Sequence, residues 1–174
     1  MILRKLVHLA KGQRGFSLIE ILAALAITSL IGVGASFTSI QILNQSSYNN
    51  NYTTASRHTM NAIYWVSRDA QMSQTIEPDG ASGFPLTLSW TEWDNSAHQT
   101  TYSIVDDTLI RSHSVDGGTS SETLVAQYVN SASENTTCAF SSGIVTLKIT
   151  TSVGEGTRTL SVSKVREITP RPGL

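Results

Sequence analysis

The chain reads KGQRGFSLIEILAALAITSLIG from Lys11 to Gly32, and Glu20 is the single charge between Arg14 and Arg57. A carboxylate near the start of an apolar membrane-spanning core costs on the order of 1–3 kcal/mol on insertion. An ionisable group held there calls for a counter-charge and a function. The apolar segment holds no Lys, Arg or His, so the counter-charge must come from elsewhere. A cut between Gly15 and Phe16 would create one. The new α-amino group of Phe16 would stand four residues before Glu20, on the same helical face. Ammonium and carboxylate attract strongly in a low-dielectric medium. The pair can close within one chain, or between the amine of one subunit and Glu20 of the next. The second arrangement makes Glu20 a register device for packing identical helices, because leaving one member unpaired costs roughly 3–5 kcal/mol. The plainer reading of Glu20 is an acid tolerated near the membrane interface.

Other residue types that could do chemistry are scattered. His58, His98 and His113 lack HExxH spacing, and no GxSxG elbow accompanies the many serines. Asp106, Asp107, Asp116 and Glu122 sit in oxygen-rich loops that lack the EF-hand pattern, and turn chemistry explains them as well. The glycines of DGASG and GEG have no following Lys-Ser/Thr to cradle a phosphate. Cys138 is the only cysteine, which leaves no intramolecular disulfide or CxxC zinc site and suits a small apolar strand residue. Trp65 and Trp90 read as packing residues, and Trp93, beside a turn, as a surface contact. No catalytic residue, metal site or cofactor is expected.

The elements that must position Glu20 follow from the apolar run. Phe16 to Leu43 is almost wholly apolar or small, longer than the roughly 20 residues that span a bilayer. Arg4, Lys5, Lys11 and Arg14 precede it with no acid among them. The positive-inside rule keeps that flank cytoplasmic and exports the C-terminal bulk. A cleaved secretory signal ending at Val33-Gly34-Ala35 competes, but it gains nothing from Glu20. Once the basic flank is set aside, the remainder is mildly acidic, which argues against nucleic-acid binding.

KGQRGFSLIEILAALAI resembles the class III signal of the type IV pilin superfamily. That pattern is a basic leader ending in Gly, then an aromatic residue and Glu four positions later, here Gly15, Phe16 and Glu20. The resemblance implies a prepilin peptidase that cuts after Gly15 and methylates the Phe16 amine. It also implies an inner-membrane assembly platform and other pilins or pseudopilins that pack through the N-terminal helix. The chain would then be a substrate and structural subunit, not an enzyme. It would sit in the membrane lipid of the cytoplasmic (inner) membrane with its head outside the cytoplasm, and later in a pilus or pseudopilus. Two departures from major pilins, no helix proline and no C-terminal cysteine pair, favour a minor pilin or a type II secretion pseudopilin. TTYSIVDDTLIRSHS resembles the J-type pseudopilins and W-type minor pilins, where a Tyr strand leads to a Leu-x-Arg strand. An alternative of another class is a signal-anchored extracytoplasmic binding module that never polymerises.

The fold expected is α+β and pilin-like, a long N-terminal helix packed against an antiparallel sheet. Residues 1–15 form the leader, 16–43 the transmembrane helix, 44–77 its amphipathic continuation, 78–168 a β-rich head and 169–174 a flexible tail. Ala55, Ala62, Ile63, Val66 and Ala70 recur on one helical face. The polar SSYNNNYTTAS is a weak helix former, so a break near 49–51 is the main risk to a continuous helix. Gly32 and Gly34 are the other soft spots, and Pro78 stops the helix. Leu86, Leu88 and Trp90 alternate toward one face, and Asp106-Asp107 and Ser142-Gly143 reverse the chain.

Overall fold

A computed structural model describes residues 15–171 of the chain. The leader before Gly15, with its four basic residues, and the last residues of the tail lie outside the described residues.

One helix, α1, runs unbroken from Leu18 to Met72. It belongs to two compact units, which divide after Ser46. In the first unit every described residue is exposed, including Leu18 at 79% and Leu30 at 74%. Gly32 and Gly34 do not interrupt it. Hydroxyls there bond back to the preceding turn: Thr28 to Ala24 O, Ser36 to Gly32 O, Thr38 to Gly34 O. Such bonds leave the Ser and Thr side chains no donor to satisfy elsewhere. Among the described residues this is the one helix long and apolar enough to cross a membrane.

In the second unit the helix gains an inner face. Ala55, Thr59, Ala62, Ile63, Val66 and Ala70 are buried, as their spacing requires. No break occurs at 49–51. The helix ends at Met72 rather than at Glu77, and Thr75–Pro78 is a strand, β1. Ser73 takes over the last turn, its hydroxyl donating to Asp69 O at 2.7 Å. Pro78 therefore ends a strand, where its missing N–H is tolerated.

The strands form two antiparallel sheets, not the single sheet expected. The first has the order β1 (Thr75–Pro78), β2 (Leu86–Thr91), β3 (Ala97–Val105), β4 (Thr108–Val115), β5 (Ser121–Ala126). The second is β6 (Thr137–Ser141), β7 (Ile144–Val153), β8 (Leu160–Ile168), with a 3-10 turn at Gly156–Arg158 before β8. Two-residue hairpin turns join β3 to β4 and β6 to β7. Asp106 and Asp107 both have positive φ, as do Ser142 and Gly143, which matches the right-handed twist of the flanking strands. Leu86, Leu88, Tyr102, Leu109, Val145, Leu147 and Ile149 join the helix face in one core. The layout is α+β and pilin-like, a helix packed on antiparallel sheets.

Candidate functional site

The helix start is built by Ser17 and Glu20. Gly15, Phe16 and Ser17 precede the first helical residue, Leu18. The Ser17 N–H donates to Glu20 Oε2 at 3.1 Å, and the Glu20 N–H donates to Ser17 Oγ at 3.3 Å. This reciprocal pair is a capping box, and it satisfies donors that a helix end otherwise leaves open. The carboxylate also lies in the first turn, where the helix dipole favours negative charge. Glu20 thus has a partner inside the uncut chain. That partner is a neutral amide, so the capping box adds a local hydrogen bond and leaves the expected counter-charge still to come from outside the segment. The signal was present in the sequence as Ser-x-x-Glu at 17–20.

Gly15, Phe16 and Glu20 meet at this one end. Phe16 is 82% exposed, and among the described residues a side chain built on Gly15 would touch nothing. Phe16, Glu20, Ile21, Ala24, Leu25 and Thr28 line a shallow groove along one helical face. Gly15 and Phe16 both lie outside the helix and are exposed.

Residues 10–36 match a family model described as the prokaryotic N-terminal methylation motif. The chain carries a prepilin-type signal. No curated protein and no solved structure matches the chain. A prepilin-type signal makes its bearer a substrate of a prepilin peptidase and directs it to assembly with other pilins. With the apolar helix directly behind it, the prepilin signal is consistent with membrane anchoring and suggests a structural subunit rather than an enzyme.

The head holds two polar clusters that sequence reasoning did not assemble. In the first, Asp69 of α1 is fully buried. Its Oδ2 accepts from the Tyr102 hydroxyl and from Arg111 Nε, each at 2.7 Å. Tyr102 and Arg111 are register partners on β3 and β4, so one carboxylate ties the helix to two strands. The Arg111 guanidinium also lies 5.4 Å over the Trp65 ring. Burial, followed by the Asp69 charge, raises the Tyr102 hydroxyl far above its ordinary range. Burial is the largest single influence on Arg111 and opposes its charge, but the hydrogen bond and charge of Asp69, with smaller help from Tyr102, together outweigh it and the net direction is upward. The hydroxyl therefore stays protonated and the guanidinium charged, which suits a structural clamp.

In the second cluster, Trp90, His98 and His113 come together on neighbouring strands. The histidines that looked scattered are in part gathered. His58 stays apart, accepting from the Gln127 N–H and packing on Tyr128. The acidic loops are not gathered: Asp106 and Asp107 form a turn, while Asp116 accepts from the Ala97 N–H. Cys138 is buried, and burial pushes its thiol up to about 12, which makes it a poor nucleophile. Trp93 is 96% exposed.

Proposed function

We propose that the chain is a prepilin-like structural subunit, cut between Gly15 and Phe16, methylated on the Phe16 amine and built into a type IV pilus or type II secretion pseudopilus. The observation that carries this reading is the methylation-motif match at 10–36, set on an apolar helix that begins two residues after the scissile bond. After cleavage the amine lies one residue before Ser17, beside a carboxylate already held toward the helix start. Glu20 then serves as the assembly residue, pairing with the amine of its own chain or of a neighbour. The helix runs without a proline, and the Tyr102 strand pairs with the Leu109-x-Arg111 strand. Both features support a minor or initiating subunit of the J-type or W-type class. Its partners are a prepilin peptidase, the inner-membrane assembly platform, and other pilins met through the helix.

Intact-mass measurement of the mature membrane protein tests this reading. The expected product begins at Phe16 and carries one added methyl. A product that retains Met1 would reject it.

The capping box favours a second reading, because it gives Glu20 a use without any cleavage. In that reading the chain is an anchored extracytoplasmic binding module. Two substitutions separate them. Glu20→Gln keeps a capping side chain and removes the charge, and Glu20→Ala removes both. If the amine pair governs assembly, both variants insert normally and both fail to enter filaments. Filament entry by Glu20→Gln at the wild-type level would leave capping as the residue's whole role.

A further inference from the structure

Two imidazoles from different strands face each other in the head. His98 Nδ1 of β3 and His113 Nε2 of β4 stand 3.4 Å apart, with ring planes 19° apart. The Trp90 indole lies nearly parallel to both, its centroid 5.2 Å from His98 and 5.8 Å from His113. The other ring nitrogens are also engaged. His113 Nδ1 is 2.9 Å from Thr100 Oγ1. His98 Nε2 is 3.2 Å from Ser96 Oγ and 3.7 Å from Glu92 Oε1.

The two ends of this chain of bonds fix its direction. Arg111 can only donate, and its Nη2 reaches Thr100 Oγ1 at 3.4 Å. That hydroxyl accepts there and gives its own proton to His113 Nδ1. At the other end Ser96 Oγ donates to Asp94 Oδ1 at 2.6 Å, so it accepts from His98 Nε2. Each ring then carries one proton, on Nε2, and His113 Nε2–H donates to His98 Nδ1. The chain is complete with both rings neutral. One added proton requires the Thr100–His113 bond to reverse. A second would set N–H against N–H across the gap, beside the Arg111 charge.

We propose that His98 and His113 form a proton-operated latch on the β2–β3–β4 corner, closed when both rings are neutral and opened when both are protonated. The charged groups around the pair are Glu92 and Asp94 from the β2–β3 turn, Arg111 from β4, and Asp69 of α1 acting behind Arg111. Ser121 of β5, the register partner of His113, carries no charge. Burial, then Arg111, then His98 hold His113 below its ordinary 6.5, against smaller opposing pulls from Asp69 and from a hydrogen bond with the Gln99 backbone. The folded state therefore binds fewer protons here than the unfolded chain. The stability it contributes is complete above the ordinary imidazole value and falls as pH drops through the depressed one. Glu92 and His113 engage opposite nitrogens of His98, so the three do not converge on one metal ion.

The test uses the full chain in detergent micelles, taken from about pH 7.5 to about pH 5, the range in which histidine titrates. Amide exchange of β3 and β4, corrected for its intrinsic pH dependence, should accelerate by about tenfold for each pH unit over which the open state alone takes up a proton. Tryptophan emission, from Trp65 and Trp90 in a Trp93→Phe background, should fall reversibly in step, and the fall should vanish when Trp90 is also changed to Phe. The double variant His98→Gln, His113→Gln should respond to neither. Should the double variant not fold, His113→Gln alone must abolish the acceleration, since no second cation then faces His98. Unchanged exchange in the wild type, or equal acceleration in the Gln variants, would overturn the latch. Quenching by zinc at neutral pH without any acid response would overturn it in favour of a metal site.

Discussion

Replacing Asp69 by Ala should destabilise the head by roughly 3 kcal/mol, because it leaves a part-buried guanidinium and a buried hydroxyl without their shared acceptor. Asp69 is fully buried, and its Arg111 partner is only 13% exposed at the side chain. Water cannot take the place of the carboxylate without opening the seam between α1 and the first sheet. Urea unfolding of the full chain in micelles, followed by tryptophan emission, measures the loss. The triple variant Asp69→Leu, Tyr102→Phe, Arg111→Met removes every member of the clamp together. It should recover most of the stability, since apolar groups of similar volume replace an ion pair at little net cost. An equal loss in the triple variant would mean that packing, not the unpaired charge, governs the site. Tyr102→Phe alone should cost about 1 kcal/mol, the value of one hydrogen bond.

Gly83→Ala should cost about 3–5 kcal/mol by a different route. Gly83 has φ +76, a conformation that disfavours any side chain. A Cβ there would also overlap the carbonyl oxygen of Cys138. That carbonyl cannot swing away. Cys138 N–H donates to Ser82 O at 2.8 Å, and Cys138 is paired with Leu147 in the second sheet. The loop before β2 and the strand β6 are held at backbone-to-backbone distance, and only glycine permits it. Gly143→Ala is the control. Its φ is +79, but an added Cβ meets nothing, so the loss should be limited to the conformational part, about 1–2 kcal/mol. Similar losses at the two positions, measured by the same urea unfolding, would remove the steric argument.

The sequence exposed those features of the fold that depend on local pattern. The burial of Ala55, Ala62, Ile63, Val66 and Ala70 follows from their spacing, and that of Leu86, Leu88 and Trp90 from alternation. The turns at Asp106-Asp107 and Ser142-Gly143 follow from residues that accept positive φ. Features that depend on distant pairing were hidden. β1 is four residues long and has only Ile76 buried, too little to show a period. The split into two sheets depends on which strands find each other, and no single strand records that. Asp69 looks like an ordinary helix acid until Tyr102 and Arg111, 33 and 42 residues away, are brought to it. His98 and His113 looked scattered for the same reason. At the helix start the case is reversed: the Ser17–Glu20 box is local, and Ser-x-x-Glu before an apolar run makes it legible.

That box bears on the interval between synthesis and assembly. Glu20 Oε2 is occupied by the Ser17 amide, while Oε1 has no partner among the described residues. A carboxylate bonded through one oxygen is comfortable enough to wait and still open to a second companion. On the reading proposed above, subunits so equipped wait in the bilayer as a quiet reserve, and the machinery that collects them, rather than any urgency of the helix itself, sets the pace of fibre growth.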